Sequence, residues 1–145
     1  MAKIDLRNTN VKRTYPVADA MTTWIAGQVV KLLNGEALLT DNKDLVLGFA
    51  MDSPDELASP PTGQLLTVLS GGGTIFYIDH SEEVAAGVGD RAYDANVEAA
   101  SETEYLWVNS DGKLTTTEDD SKRPIAKVLQ VPAADNNWTL GVELL

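Results

Sequence analysis

"LLTVLSGGGTIFYIDH", residues 65–80, sets three consecutive glycines between two strongly apolar runs. If Gly71, Gly72 and Gly73 cradle a phosphate, the chain is a candidate enzyme; if they let a strand bend, it is a β scaffold. A phosphate-binding loop of the form G-x-x-x-x-G-K-[ST] needs its lysine to reach the phosphates and a helix to follow. Here Thr74, Ile75 and Phe76 follow, a β-branched and aromatic run with no lysine. The dinucleotide fingerprint G-x-G-x-x-G fails as well, because the spacing from Gly71 and Gly73 leads to Phe76. The glycines therefore read as geometry: φ > 0, a bulge, or close backbone approach.

The same grammar recurs on both sides of this stretch. In "QVVKLLNGEALLT", Asn34-Gly35 sits between apolar runs, and a type I′ hairpin turn needs φ > 0 at both central positions. "KDLVLGFAMD" is another run, with Gly48 a candidate bulge. "DSPDELASPPTGQ" reads as a surface loop holding at most one helical turn before Pro60-Pro61. A strand is expected around Arg91–Tyr93 and a second hairpin at Asp111-Gly112. "RPIAKVLQV" and "WTLGVELL" are closing strands joined by the polar turn "PAADNN". Frequent short runs of this kind predict an all-β fold, a compact sandwich or barrel-like domain. Residues 21–145 form that domain, while residues 1–20, without periodicity and extended around Pro16, read as an N-terminal arm.

Charge divides along the same line. The 145 residues carry a formal net charge of −11. Residues 1–15 hold Lys3, Arg7, Lys12 and Arg13 against Asp5 alone, +3, which leaves −14 on the rest. An acidic body repels phosphate and gains nothing from counterion release, so nucleic acid is not an expected partner. A basic arm on such a body points to docking on an acidic surface. The chain has no cysteine, which excludes disulfides, thiolate metal sites and a cysteine nucleophile, and fits a reducing cytoplasm. No apolar run approaches the ~18 residues of a membrane span, and the first residues lack a signal-peptide pattern.

Catalytic candidates are thin. His80 is the single histidine, flanked by Asp79 and Ser81. Sequence neighbours on a strand point to opposite sides, and a triad is assembled from distant positions, so His80 reads as a surface residue at a strand end. "DSPDE", "SEE" and "TEDD" offer carboxylates to a hard cation, yet none follows the EF-hand pattern, and they read as solvated loops. Trp24, Trp107 and Trp138 read as core or subunit-contact anchors. No cofactor and no metal are expected.

With these residues in hand, "GDRAYDAN … SDGKLTTTEDDSKRPIAKVLQV … WTLGVELL", with "AGQVVKLLNGEALLTDNKDLVLGFAMD" upstream, resembles small bacteriophage capsid cement (decoration) proteins. The likeness covers residues 26–145 and departs from the family at Ala126-Lys127, where a glycine is common, and at the insert "VEAASETE". What the resemblance implies is a non-enzymatic structural protein of the virion, made in the host cytoplasm. It would bind the outer surface of the assembled head, often as a homotrimer, and clamp neighbouring capsomers of the major capsid protein against internal DNA pressure. The expected capsid-binding residues are Lys3, Arg7, Lys12 and Arg13, with Tyr15 as an anchor. Gly71, Gly72 and Gly73 are candidate contacts with a sister subunit or the capsid. Neither membrane nor direct nucleic-acid contact is expected. The alternatives are a virion module that captures host glycans through exposed tryptophans, a tail or fibre component, and a small hydrolase built around His80.

Overall fold

A computed structural model describes residues 3–8, 11–40, 46–80 and 91–145. The glycine stretch organises it. β6 (Leu65–Ser70) belongs to one sheet and β7 (Ile75–Asp79) to another, so the glycines carry the chain across from sheet to sheet. Gly71 and Gly73 have φ of +92° and +85°, which an L side chain adopts only at a cost of roughly 1–2 kcal/mol. Gly73 N–H donates to the Leu144 carbonyl at 2.8 Å and the Thr74 hydroxyl to the Ser70 carbonyl at 3.0 Å, which fixes the bend.

The six-stranded sheet has the order β1–β7–β11–β10–β8–β9, all antiparallel. Its strands are β1 (Lys3–Asn8), β7, β8 (Tyr105–Val108), β9 (Leu114–Thr115), β10 (Ala126–Gln130) and β11 (Leu140–Leu144). The five-stranded sheet runs β2–β6–β5–β3–β4, from β2 (Val11–Pro16), β3 (Val29–Leu33), β4 (Glu36–Leu39), β5 (Gly48–Ala50) and β6. No α-helix occurs among the described residues; three short 3₁₀ turns lie at Pro54–Glu56, Ala95–Ala99 and Ala134–Asn136. The all-β expectation is therefore met.

Alternation explains the packing. β7 buries Phe76 and Ile78 and turns Ile75, Tyr77 and Asp79 the other way. Phe76, Ile78, Leu106, Val128 and Val142 meet Val29, Phe49 and Leu69 from the opposing sheet to form the main core. Phe49 and Phe76 touch edge to face, with centroids 5.3 Å apart. β6 sends apolar residues to both sides: Leu69 joins the main core, while Leu66 and Val68 join a second cluster with Val17, Met21, Trp24, Val30, Ala37 and Ala50, and Leu65 at its start stays exposed. The five-stranded sheet curls around that cluster toward closure, with a bridge between Val17 and Ala37 and a 3.0 Å hydrogen bond from Ala18 N–H to the Ala37 carbonyl.

The Asn34-Gly35 hairpin forms with φ of +51° and +80°, the two positive values that its turn requires. The second hairpin pairs Trp107 with Thr115 and Val108 with Leu114 around Gly112 at φ +77°. Two expectations are corrected. Arg91–Tyr93 is not a strand: only Tyr93 bridges, in parallel, to Leu114, where Leu114 N–H donates to the Ala92 carbonyl at 3.2 Å. Gly48 is not a bulge: it pairs with Val30 inside β5, and a Cβ there would run into the Leu69 carbonyl.

Residues 1–20, expected as an arm separate from the domain, are extended over Lys3–Asn8 and Val11–Pro16, and both halves are built into the sheets. β1 pairs with β7 from Lys3–Asp79 to Asn8–Ile75, and β2 with β6 from Val11–Ser70 to Pro16–Leu65. Together they make one ribbon beside the β6–β7 path, and each is the terminal strand of its sheet.

Candidate functional site

The predicted contact residues lie on this ribbon, where strand parity sorts them. On β1, Ile4 and Leu6 pack on the main core, so Asp5 and Arg7 fall on the outer side of the six-stranded sheet. Arg7 is held there twice. Its Nε donates to Asp5 Oδ2 at 2.9 Å, with Nη2 2.8 Å from the same oxygen, and its guanidinium sits 5.1 Å from the centroid of the Tyr77 ring. Tyr77 lies across Gly141, where a Cβ would come within 2.5 Å of its ring. These side chains, with Asp79, Gln130 and Thr139, line a shallow cavity of about 330 Å³. The Tyr77 ring thus has the Arg7 guanidinium over one face and lies against Gly141.

On β2 the neighbours diverge. Lys12 is opposite Leu69, on the side of the main core, yet stays exposed at the edge. Arg13 is opposite Val68 and Tyr15 opposite Leu66, on the side of the second cluster, and Tyr15 packs there half-buried. Lys3 pairs with Asp79 in the β1–β7 register. The structure thus gathers the five residues on one edge and places Arg7, Lys12, Arg13 and Tyr15 on different faces of it. Gly71, Gly72 and Gly73 sit where the chain passes from β6 to β7, and the close approach at Gly72 is to the chain's own Leu145, 3.3 Å from where a Cβ would lie.

His80 is corrected from surface to core. It continues the inward parity of Phe76 and Ile78, is fully buried, and meets the Tyr93 ring edge-on at 5.3 Å. Its Nε2 accepts from Ala92 N–H at 3.4 Å. His80 is thus packed inside the domain rather than exposed at a strand end.

In the described acidic clusters Asp55, Glu56, Glu118 and Asp120 are exposed, and Asp52 and Asp119 hold nearby backbone. Asp52 accepts from Thr67 N–H at 2.8 Å, and Asp119 accepts from Ser121 N–H and its hydroxyl at 3.0 and 2.6 Å. Those bonds hold the Asp119 carboxyl below its ordinary pKa. "SEE" lies outside the described residues. Among the described residues no group of three or more His, Asp or Glu is placed to hold a metal ion. Trp24 is buried with its Nε1–H on the Asp52 carbonyl at 2.8 Å, and Trp138 receives the Arg91 guanidinium at 5.6 Å.

Sequence reasoning missed the polar network that joins "YDAN" to "LTTT". Asn96 binds Thr115, Thr116 N–H and Thr117, and Asp94 N–H donates to the Leu114 carbonyl at 2.7 Å. Each stretch was legible alone; their meeting was not. Beside this network the Tyr93 hydroxyl, in a residue 3% exposed, is pushed up from its ordinary pKa to about 12, first by burial and then by the Glu98 charge, against the opposing effect of Arg91. The folded state therefore favours the neutral phenol. Its stabilisation is complete below pH ~10 and is lost as pH climbs from ~10 toward ~12, a loss of roughly 2–3 kcal/mol. Urea midpoints measured across that window should fall, and Tyr93→Phe should remove most of the fall.

No protein-family model, curated protein or solved structure matches the chain.

Proposed function

We propose that the protein is a structural capsid decoration protein: it binds the outer surface of an assembled phage head and holds neighbouring capsomers of the major capsid protein together. The observation that carries this reading is the basic ribbon. β1 and β2 are the terminal strands of both sheets and bring Arg7, Lys12 and Arg13 along one edge of a body that is otherwise acidic. Terminal strands are templates for adding a strand from another chain, and cations beside that edge select an acidic one. The motif resemblance over residues 26–145 supports the same reading. A single exposed ion pair contributes only about 0–1 kcal/mol, but an oligomer that engages several copies can raise affinity ~10²–10⁴-fold.

The test is sedimentation with heads assembled without this protein. The triple variant Arg7→Glu, Lys12→Glu, Arg13→Glu should keep its fold, since these side chains are exposed or at the edge, and should lose at least about tenfold in head binding. Undiminished binding by a folded triple variant would reject the basic edge as the capsid contact.

A further inference from the structure

Burial changes abruptly at the end of the N-terminal ribbon. None of Ile4–Arg7 and Val11–Pro16 is fully buried, whereas Val17, the next residue, is 0% exposed. Ile4, Leu6 and Tyr15 press on the two clusters only in part. The ribbon is held chiefly by its ladders to β7 and β6. Beyond it the backbone is pinned to the body: Val17 N–H donates to the Gln64 carbonyl and Gly63 N–H to the Val17 carbonyl, both at 2.9 Å. Pro16 marks the junction, and its ring keeps the chain extended there.

A segment in which no described side chain is fully buried, held by backbone pairing and bounded by a stiff junction, has what strand exchange requires. The same ladder can form on an identical neighbour without any new complementary surface. We propose that the β6–β7 edge is a docking surface for residues 3–16 of a second copy, and that the chain oligomerises by passing its N-terminal ribbon from each copy to the next. Charge favours that occupant: the +3 segment meets on any neighbour the same −14 body that it meets at home. The 14 residues Lys3–Pro16 could span up to about 46 Å if fully extended. Arm-to-next pairing is heterologous and closes into a ring, such as a trimer, when the rotation allows. Pairing within one chain competes at an effective concentration on the order of mM, so exchange grows with protein concentration.

The absence of native cysteine makes the test clean. Thr14 lies opposite Thr67 across β2 and β6. Chains carrying Thr14→Cys alone and Thr67→Cys alone, mixed equally, refolded together at high concentration and oxidised, should give a disulfide-linked pair of chains. In a random mixture roughly half of the Thr14→Cys arms meet a Thr67→Cys body. Val11→Cys with Ser70→Cys, the opposite pair near the bend, repeats the test should the first pair fold poorly. Light scattering on the native chain should show a mass that rises with concentration. A constant monomer mass, or cross-links that form only within doubly substituted chains, overturns the proposal. The inference extends the oligomer of the capsid reading, and the outcomes separate the two. Exchange without head binding leaves it standing and removes the capsid assignment, whereas head binding by a chain that stays monomeric does the reverse.

Discussion

Gly48→Ala should destabilise the protein by about 3 kcal/mol or more, at or beyond the upper end of ordinary overpacking. The reason is space, since Gly48 does not need a positive φ. Its Cβ would run into the Leu69 carbonyl oxygen and come 2.8 Å from Val68 Cγ1. A flexible side-chain tip could swing aside. The Leu69 carbonyl cannot, because its residue is fixed opposite Phe49 in the middle of the five-stranded sheet. β5 has only three residues, all buried, so it has no free end to absorb the shift. Against a total stability of ~5–15 kcal/mol, that is a large share. Urea unfolding measures it. Gly35→Ala is the control: nothing lies within 4 Å of its Cβ, and only its φ of +80° penalises the change, by roughly 1–2 kcal/mol. Equal losses for the two would refute the close-approach reading of Gly48.

Phe76→Ala should cost about 3–5 kcal/mol. Phe76 is fully buried, stands opposite Leu6 and Val142 on the neighbouring strands, and makes the edge-to-face contact with Phe49 that joins the two sheets. Truncation leaves a cavity between sheets whose backbones are fixed by their ladders, so collapse relieves little of it. Tyr77→Ala, one residue on, should cost clearly less, because its ring lies on the outer side under Arg7. Denaturant midpoints of the two variants, compared at the same slope, decide the point. A larger loss for Tyr77→Ala would reverse the assignment of inward and outward sides.

The sheet's sidedness also separates what could be read early from what could not. The β class, the Asn34-Gly35 hairpin and the glycine bend at residues 71–73 were legible because they depend on local chemistry. A turn that needs positive φ names its residues, and a phosphate loop without its lysine excludes itself. The alternation that buries Phe76 and Ile78 is hidden in "IFYID", where four consecutive residues are apolar or aromatic, and only the structure shows which two point inward. The same alternation, carried one step further, buries His80, and the reading of a surface histidine failed by stopping at the end of the apolar run.

The remaining corrections have a different origin. That Leu6 stands opposite Phe76 and Arg13 opposite Val68 is a pairing across more than fifty residues, and no periodicity within either segment encodes it. Hence the basic N-terminus was legible as an extended segment but not as the terminal strands of both sheets, and Gly48 looked like a bulge when it makes room for the carbonyl of Leu69. The charge split, by contrast, needed no structure at all. Sequence alone determined the β class, the turn stereochemistry and the basic–acidic division, because each is set by neighbouring residues or by simple composition. Only the tertiary structure decided which strands pair, which sheet each joins and which side chains are enclosed, because those follow from long-range backbone ladders that burial of two separate apolar clusters selects.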